Sequence, residues 1–174
     1  PSDTYLFDYN FQYGVGNGFV INGVDESDRI GQNISAAGDV NGDGLDDVIV
    51  GAYNADPNGT NSGSAYVVFG TTSTSVIELS DIENEKGGGF VINGVDDYDG
   101  AGGSVSAAGD VNGDGLDDVI VGAGGADPGG YSSTNSSRGS TYVVFGTTSA
   151  SVIELSELEN EKGGGFVIHG VHAH

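Results

Sequence analysis

The chain has 174 residues, 36% of them hydrophobic and 17% charged, a composition that supports a core and argues against wholesale disorder. Its 26 acidic side chains against 4 basic ones leave a formal net charge of -22, which repels phosphate backbones and anionic headgroups. Neither nucleic acid nor membrane insertion is therefore expected, and the lack of cysteine excludes a disulfide framework.

Taken in chain order, residues 1–23 read as half of a structural unit, with short strands at 5–7 and 19–21. Residues 24–94 hold a full unit with strands predicted over 32–37, 47–52, 65–69 and 90–93. Residues 95–170 repeat it, with strands over 104–108, 118–123, 141–145 and 166–169, and residues 171–174 form a tail. One short helical turn is expected within 77–84 and again within 153–160. Pro1 is not an initiator Met and no leader or membrane-spanning run is legible, so the chain reads as a mature or excised piece.

The repetition is literal. Ser35 to Ala52 reads SAAGDVNGDGLDDVIVGA, and Ser106 to Ala123 reads the same 18 residues. YVVFGTTS occurs at Tyr66 and Tyr142, and GFVI at Gly18, Gly89 and Gly165. The runs VIVGA and YVVF are apolar at consecutive positions, whereas a strand with one wet face alternates. Their strands thus need cover on both faces. A simple β-sandwich supplies that, and so do four-stranded antiparallel blades stacked around an axis. Identical units need identical neighbours, which favours an incomplete β-propeller of about two and a half blades.

Between the first two strands of each unit lies an acidic loop. Asp39, Asn41, Asp43 and Asp47 occupy positions 1, 3, 5 and 9 of the first, with glycine at position 6. Asp110, Asn112, Asp114 and Asp118 repeat that spacing. Alternate residues of a tight turn point inward, and Gly44 permits the reversal that returns the Leu45 carbonyl and Asp47 to the same point. Crowded carboxylates repel one another, and a hard divalent ion with oxygen ligands, Ca²⁺ before Mg²⁺, removes the repulsion. An EF-hand is excluded, because position 12 is Val50 or Val121 and a strand follows. A solvated acidic turn without metal is the alternative, and two verbatim copies argue against it. Asp46 and Asp117, at position 8, are expected to face solvent or brace the loop.

A strand ending in AAGD, then DVNGDGLDDVIVGA, then a YVVFG strand resembles the FG-GAP repeat of integrin alpha-chain propellers and their bacterial relatives. The resemblance spans about residues 18–170. It implies two calcium sites, one on Asp39, Asn41, Asp43, the Leu45 carbonyl and Asp47, the other on Asp110, Asn112, Asp114, the Leu116 carbonyl and Asp118. The repeat departs from the family pattern at Ile30-Gly31 and Ala101-Gly102, which replace FG, and at Gly51-Ala52-Tyr53 and Gly122-Ala123-Gly124, which lack the proline of GAP.

Histidine occurs only at the C-terminal edge and the chain has no cysteine, so nucleophile–histidine catalysis lacks a base and no enzyme activity is expected. His169, His172 and His174 at the C-terminal edge are read as incidental. So are the glycosylation-type triplets at Asn33, Asn58 and Asn135. The expected function is an extracellular (secreted or cell-surface), calcium-dependent adhesion module that binds a protein or a polysaccharide. The alternative is a structural repeat that self-assembles into a surface layer or filament, and the accessory domain of a secreted hydrolase is a third. Uncovered blade faces predict either self-association or further blades in a longer chain.

Overall fold

VIVGA and YVVF decide the architecture, because consecutive β-branched residues form strands whose two faces both repel water. The computed structural model describes residues 18–73, 75–128, 137–149 and 151–171, and there these runs are covered on both sides. The first element is the short β1 (Ile21–Asn22). A first antiparallel set follows, made of β2 (Asn33–Gly38), β3 (Asp47–Ala52), β4 (Ser64–Val68) and β6 (Gly89–Asn93). Between β4 and β6 lie β5 (Ile77–Glu78) and the five-residue helix α1 (Leu79–Glu83).

The second unit copies the first: β7 (Ala101–Gly109), β8 (Asp118–Ala123), β9 (Ser140–Val144) and β11 (Gly165–His169), again antiparallel. Its connection holds β10 (Val152–Glu154) and helix α2 (Leu155–Glu159). The register repeats as well, Val50 and Val91 flanking Tyr66 as Val121 and Val167 flank Tyr142. These are two four-stranded blades of an incomplete propeller.

Each strand predicted in the two full units lies within one residue of its observed bounds, except β7, which begins three residues early at Ala101. The strand predicted at 19–21 overlaps β1 only at Ile21, and the one at 5–7 lies outside the described residues. The helical turns expected within 77–84 and 153–160 are α1 and α2, and each is preceded by a short strand that pairs parallel to the preceding unit's last strand. β5 joins β1 and β10 joins β6, so the first sheet has five strands. A Glu side chain latches each join: Asn22 Nδ2 donates to Glu78 Oε1 at 2.9 Å, and Asn93 Nδ2 to Glu154 Oε1 at 3.1 Å.

Packing follows the order of the units. Ile49, Val67 and Phe90 of the first blade share one core with Val119, Val121, Tyr142, Leu155 and Leu158 of the second. The first blade's other face, with Tyr66, Val68 and Val91, packs on Leu79 and Ile82 and is bordered by Phe19, Ile21 and Val24. The second blade's far face is open. Phe90 and Ile92 are 0% exposed, while Phe166 and Ile168 in the same GFVI sequence are 43% and 57% exposed.

Candidate metal centre

The acidic loops grow out of a β-bulge. Pairing of β2 with β3 slips between Ala36 and Gly38, and pairing of β7 with β8 slips between Ala107 and Gly109. Gly38 and Gly109 have φ of 78° and 68°, a left-handed conformation that glycine adopts without cost. The extra residue turns the chain out of the sheet and delivers Asp39 and Asp110 to the head of each loop.

From there the chain closes on its own side chains. Asp39 Oδ1 accepts the Gly42 and Asp43 N–H groups at 2.8 and 3.0 Å, and its Oδ2 accepts that of Gly44 at 2.9 Å. Asn41 Oδ1 accepts the Asp43 N–H at 2.8 Å, its Nδ2 donates to Asp43 Oδ2 at 3.0 Å, and Asp43 Oδ1 accepts the Leu45 N–H at 2.9 Å. The second loop repeats every one of these bonds. Asp110 takes Gly113, Asp114 and Gly115, while Asn112 and Asp114 bond each other and Asp114 takes Leu116.

Asp47 and Asp118 have a different place. Both are buried, and each carboxylate spans two amides: Val40 and Gly70 for Asp47, Val111 and Gly146 for Asp118, at 2.8 to 2.9 Å. They bolt the loop to the strand below it. Burial pushes the Asp47 carboxyl above its ordinary value; the two amide bonds oppose this, and the Asp43 and Asp39 carboxylates add to it.

The structure therefore joins Asn41 to Asp43 by a side-chain hydrogen bond and ties Asp39 to the Asp43 main-chain amide, with the buried Asp47 carboxyl close enough to feel the Asp43 and Asp39 charges. Among the described residues, no three acidic or histidine side chains already converge as a metal cluster. The donor set still suits a hard cation. Its members are oxygens; Asp39 Oδ1 takes two amides, but Asp39 Oδ2 and both Asp43 oxygens accept one hydrogen bond each and keep a second lone pair, and the crowded negative charge is offset by neutral N–H groups.

Other candidates resolve simply. His169 Nδ1 lies 3.0 Å from Ser140 Oγ, and His172, His174 and Asn135 are outside the described residues. Asn58 donates Nδ2 to the Gly94 carbonyl and to Glu154, and Asn33 donates to the Gly102 carbonyl, so both amides are engaged. A second acidic group lay unnoticed in the sequence. Asp25, Asp28, Asp56 and Glu83 surround a cleft of about 700 Å³. Burial raises the Asp28 carboxyl most, and the Asp25, Glu83 and Asp56 charges raise it further against an opposing amide bond from Asp25. Asp96, Asp99, Asp127 and Glu159 recur around the second blade. The D-x-x-D spacing at 25–28 and 96–99 was its signal.

Comparison with known proteins accords with this geometry. Residues 31–68 and 101–144 match the family model of the FG-GAP repeat, each match running from the first strand of a blade through its acidic loop to the third. The chain is 35% identical over 114 residues to integrin alpha pat-2 of Caenorhabditis briggsae, and 35% identical over 116 residues to integrin alpha pat-2 of Caenorhabditis elegans. Each alignment covers 62% of this chain, and the chain spans only 8% of the length of either relative. The similarity is distant.

Proposed function

We propose that this chain, a carrier of two FG-GAP repeats distantly similar to integrin alpha chains, is an extracellular calcium-binding module for adhesion or for binding a protein or polysaccharide. One observation carries the reading. Two loops of identical sequence make the same set of hydrogen bonds at the same place between the first and second strands of each blade. Calcium would be held by Asp39, Asn41, Asp43, the Leu45 carbonyl and Asp47, and by Asp110, Asn112, Asp114, the Leu116 carbonyl and Asp118. The ion supplies positive charge that ties the loop oxygens together. The residues hold the first two strands at a fixed spacing, so each blade presents a firm face to its neighbour.

Millimolar calcium outside cells suits exposed loops of this kind, which supports a cell-surface or secreted location. No helix among the described residues is long and apolar enough to cross a membrane. The loops at 53–64 and 124–140 are the contact surface of first choice, since loops on a rigid scaffold carry recognition. The module is read as non-catalytic.

Thermal melts in millimolar calcium and in EDTA test the reading. Calcium at 100 times its dissociation constant is expected to add about 2.7 kcal/mol per site. Superimposable melts, with no binding heat in calorimetry, would sink it. Glycan arrays and pull-downs then sort the partner class.

A second reading is favoured by the open face of the second blade. Phe166 and Ile168 stand exposed where their sequence twins are covered by a blade, so self-assembly into a layer or filament is the alternative role. Size-exclusion chromatography with light scattering that finds only monomer at micromolar concentration rejects it.

A further inference from the structure

The two acidic loops are neighbours across the seam between the blades. Asp117 Oδ2 accepts the main-chain N–H of Asp39 at 2.9 Å, and the Asp117 N–H donates to the Asp39 carbonyl at 3.1 Å. The approach leaves no spare room: a Cβ on Gly38 would stand 2.1 Å from that Oδ2, and one on Gly42 2.8 Å from Leu116 Cδ2. Val40, the next residue along, is wholly buried at the seam.

One end of this clasp, Asp39, belongs to the first candidate calcium set, and the other, Asp117, lies between two members of the second. Asp39 heads the first loop, and its carboxylate gathers the Gly42, Asp43 and Gly44 amides. Asp117 sits between Leu116 and Asp118, the last two members of the second set. A main-chain shift at either place is felt at the other through two hydrogen bonds, one of them charge-assisted. Asp46 occupies the same position in the first loop, yet it is exposed, and no D-x-N-x-D loop precedes it in the chain. The two positions are identical in sequence and opposite in role.

From this geometry we infer that Asp117 is a positioning residue that couples the two loops, so that a divalent cation in one raises the affinity of the other. The inference rests on the calcium reading above. Ordering residues 116–118 holds the Asp117 carboxylate where Asp39 needs it, and ordering Asp39 does the same in return; such coupling is reciprocal by thermodynamic linkage. Breaking a charge-assisted bond to a main-chain amide is expected to weaken the first site about tenfold.

The test is a calcium titration of the full chain followed by NMR at the Gly44 and Gly115 amides, one reporter in each loop. The wild type is expected to fill cooperatively. Asp117→Ala is expected to abolish cooperativity and raise the half-saturation at Gly44 about tenfold. Asp117→Asn keeps an acceptor oxygen and is expected to keep the coupling. Asp46→Ala removes the same charge from the same loop position and is expected to leave the coupling intact. Coupling that survives Asp117→Ala, or falls equally in Asp46→Ala, overturns the inference while leaving calcium binding in place. Silence at both glycines in millimolar calcium ends the calcium reading, and the coupling with it. In EDTA, Asp117→Ala is expected to speed hydrogen exchange at the Asp39 amide and not at Asp110; unchanged exchange at Asp39 refutes the clasp without reference to metal.

Discussion

Truncating Phe90 and Phe166 to alanine separates what a strand owes to its sequence from what it owes to its neighbour. Both rings sit at the second position of GFVI. Each meets an aromatic partner edge-on, Phe69 at 6.1 Å and Phe145 at 6.2 Å, with the same interplanar angle of 65°. The aromatic contribution therefore cancels between the two variants. Burial does not cancel, since Phe90 is fully covered by the second blade and Phe166 is 43% exposed. Phe90→Ala loses the whole transfer free energy and leaves a walled cavity, a cost of about 3–5 kcal/mol. Phe166→Ala loses roughly half the transfer free energy, and water fills the space, so about 1–2 kcal/mol is expected. Urea denaturation at low protein concentration, read as a shift of midpoint at constant slope, measures the difference. Equal losses would mean that the second blade's far face is covered in solution and that the open-face description is wrong. A loss at Phe166 that grows with protein concentration would identify another copy of the chain as the cover.

Two further perturbations use the same internal symmetry. A Cβ on Gly51 would stand 2.0 Å from the Gly102 carbonyl oxygen across the seam, whereas one on Gly122 would meet the Ser104 hydroxyl oxygen, a side chain free to turn away. Gly51→Ala is accordingly expected to cost about 1–3 kcal/mol and Gly122→Ala much less, by thermal melting; similar costs would contradict the close packing of the blades. Asp99 is held above its ordinary value of 3.8, mostly by burial, with the Asp96, Glu159 and Asp127 carboxylates adding and an amide bond from Asp96 opposing. A raised folded pKa contributes stability that is complete below the unfolded value and is lost as pH rises through the folded one. Asp99→Asn keeps an acceptor for the Asp96 amide, so it is expected to flatten the fall in melting temperature as pH rises above about 4. An unchanged slope would show that Asp99 does not ionise at a cost.

How far the sequence carries the fold depends on the length of the signal. VIVGA and YVVF are long enough, and apolar at enough consecutive places, to mark β3, β4, β8 and β9 to within a residue. VIEL is not. Its Val152 to Glu154 form a strand and its Leu155 opens a helix, a change of state within one apolar run that no periodicity reveals. The parallel join to β6 was hidden for a further reason: its latch pairs Asn93 with Glu154, residues 61 apart in the chain. The loops were legible as acidic turns, because three oxygen-bearing residues alternate within a few positions. That Asp47 and Asp118 lie beneath the loops with both oxygens on amides was not, since Gly70 and Gly146 come from the turns that follow β4 and β9.

Duplicated sequence sharpens the point about seams. Val40 and Val111 are the same residue in the same loop, one fully buried and the other half exposed, because only the first has a blade beyond it. Asp46 and Asp117 differ likewise, and so do Phe90 and Phe166. None of these contrasts is encoded in the 18 repeated residues; each arises at the boundary between one unit and the next. In a repeat protein the free energy divides into what a unit holds alone and what each junction adds. Here the junction runs along the seam, from Gly51 against Gly102 at one end to buried Val40 and the Asp117 grip on Asp39 at the other. The same contacts that stack the blades therefore bear directly on the main chain of a candidate ligand. Any further unit docking on Phe166 and Ile168 would bring Val111 and Asp110 under the same constraint, so assembly and cation affinity are expected to rise together.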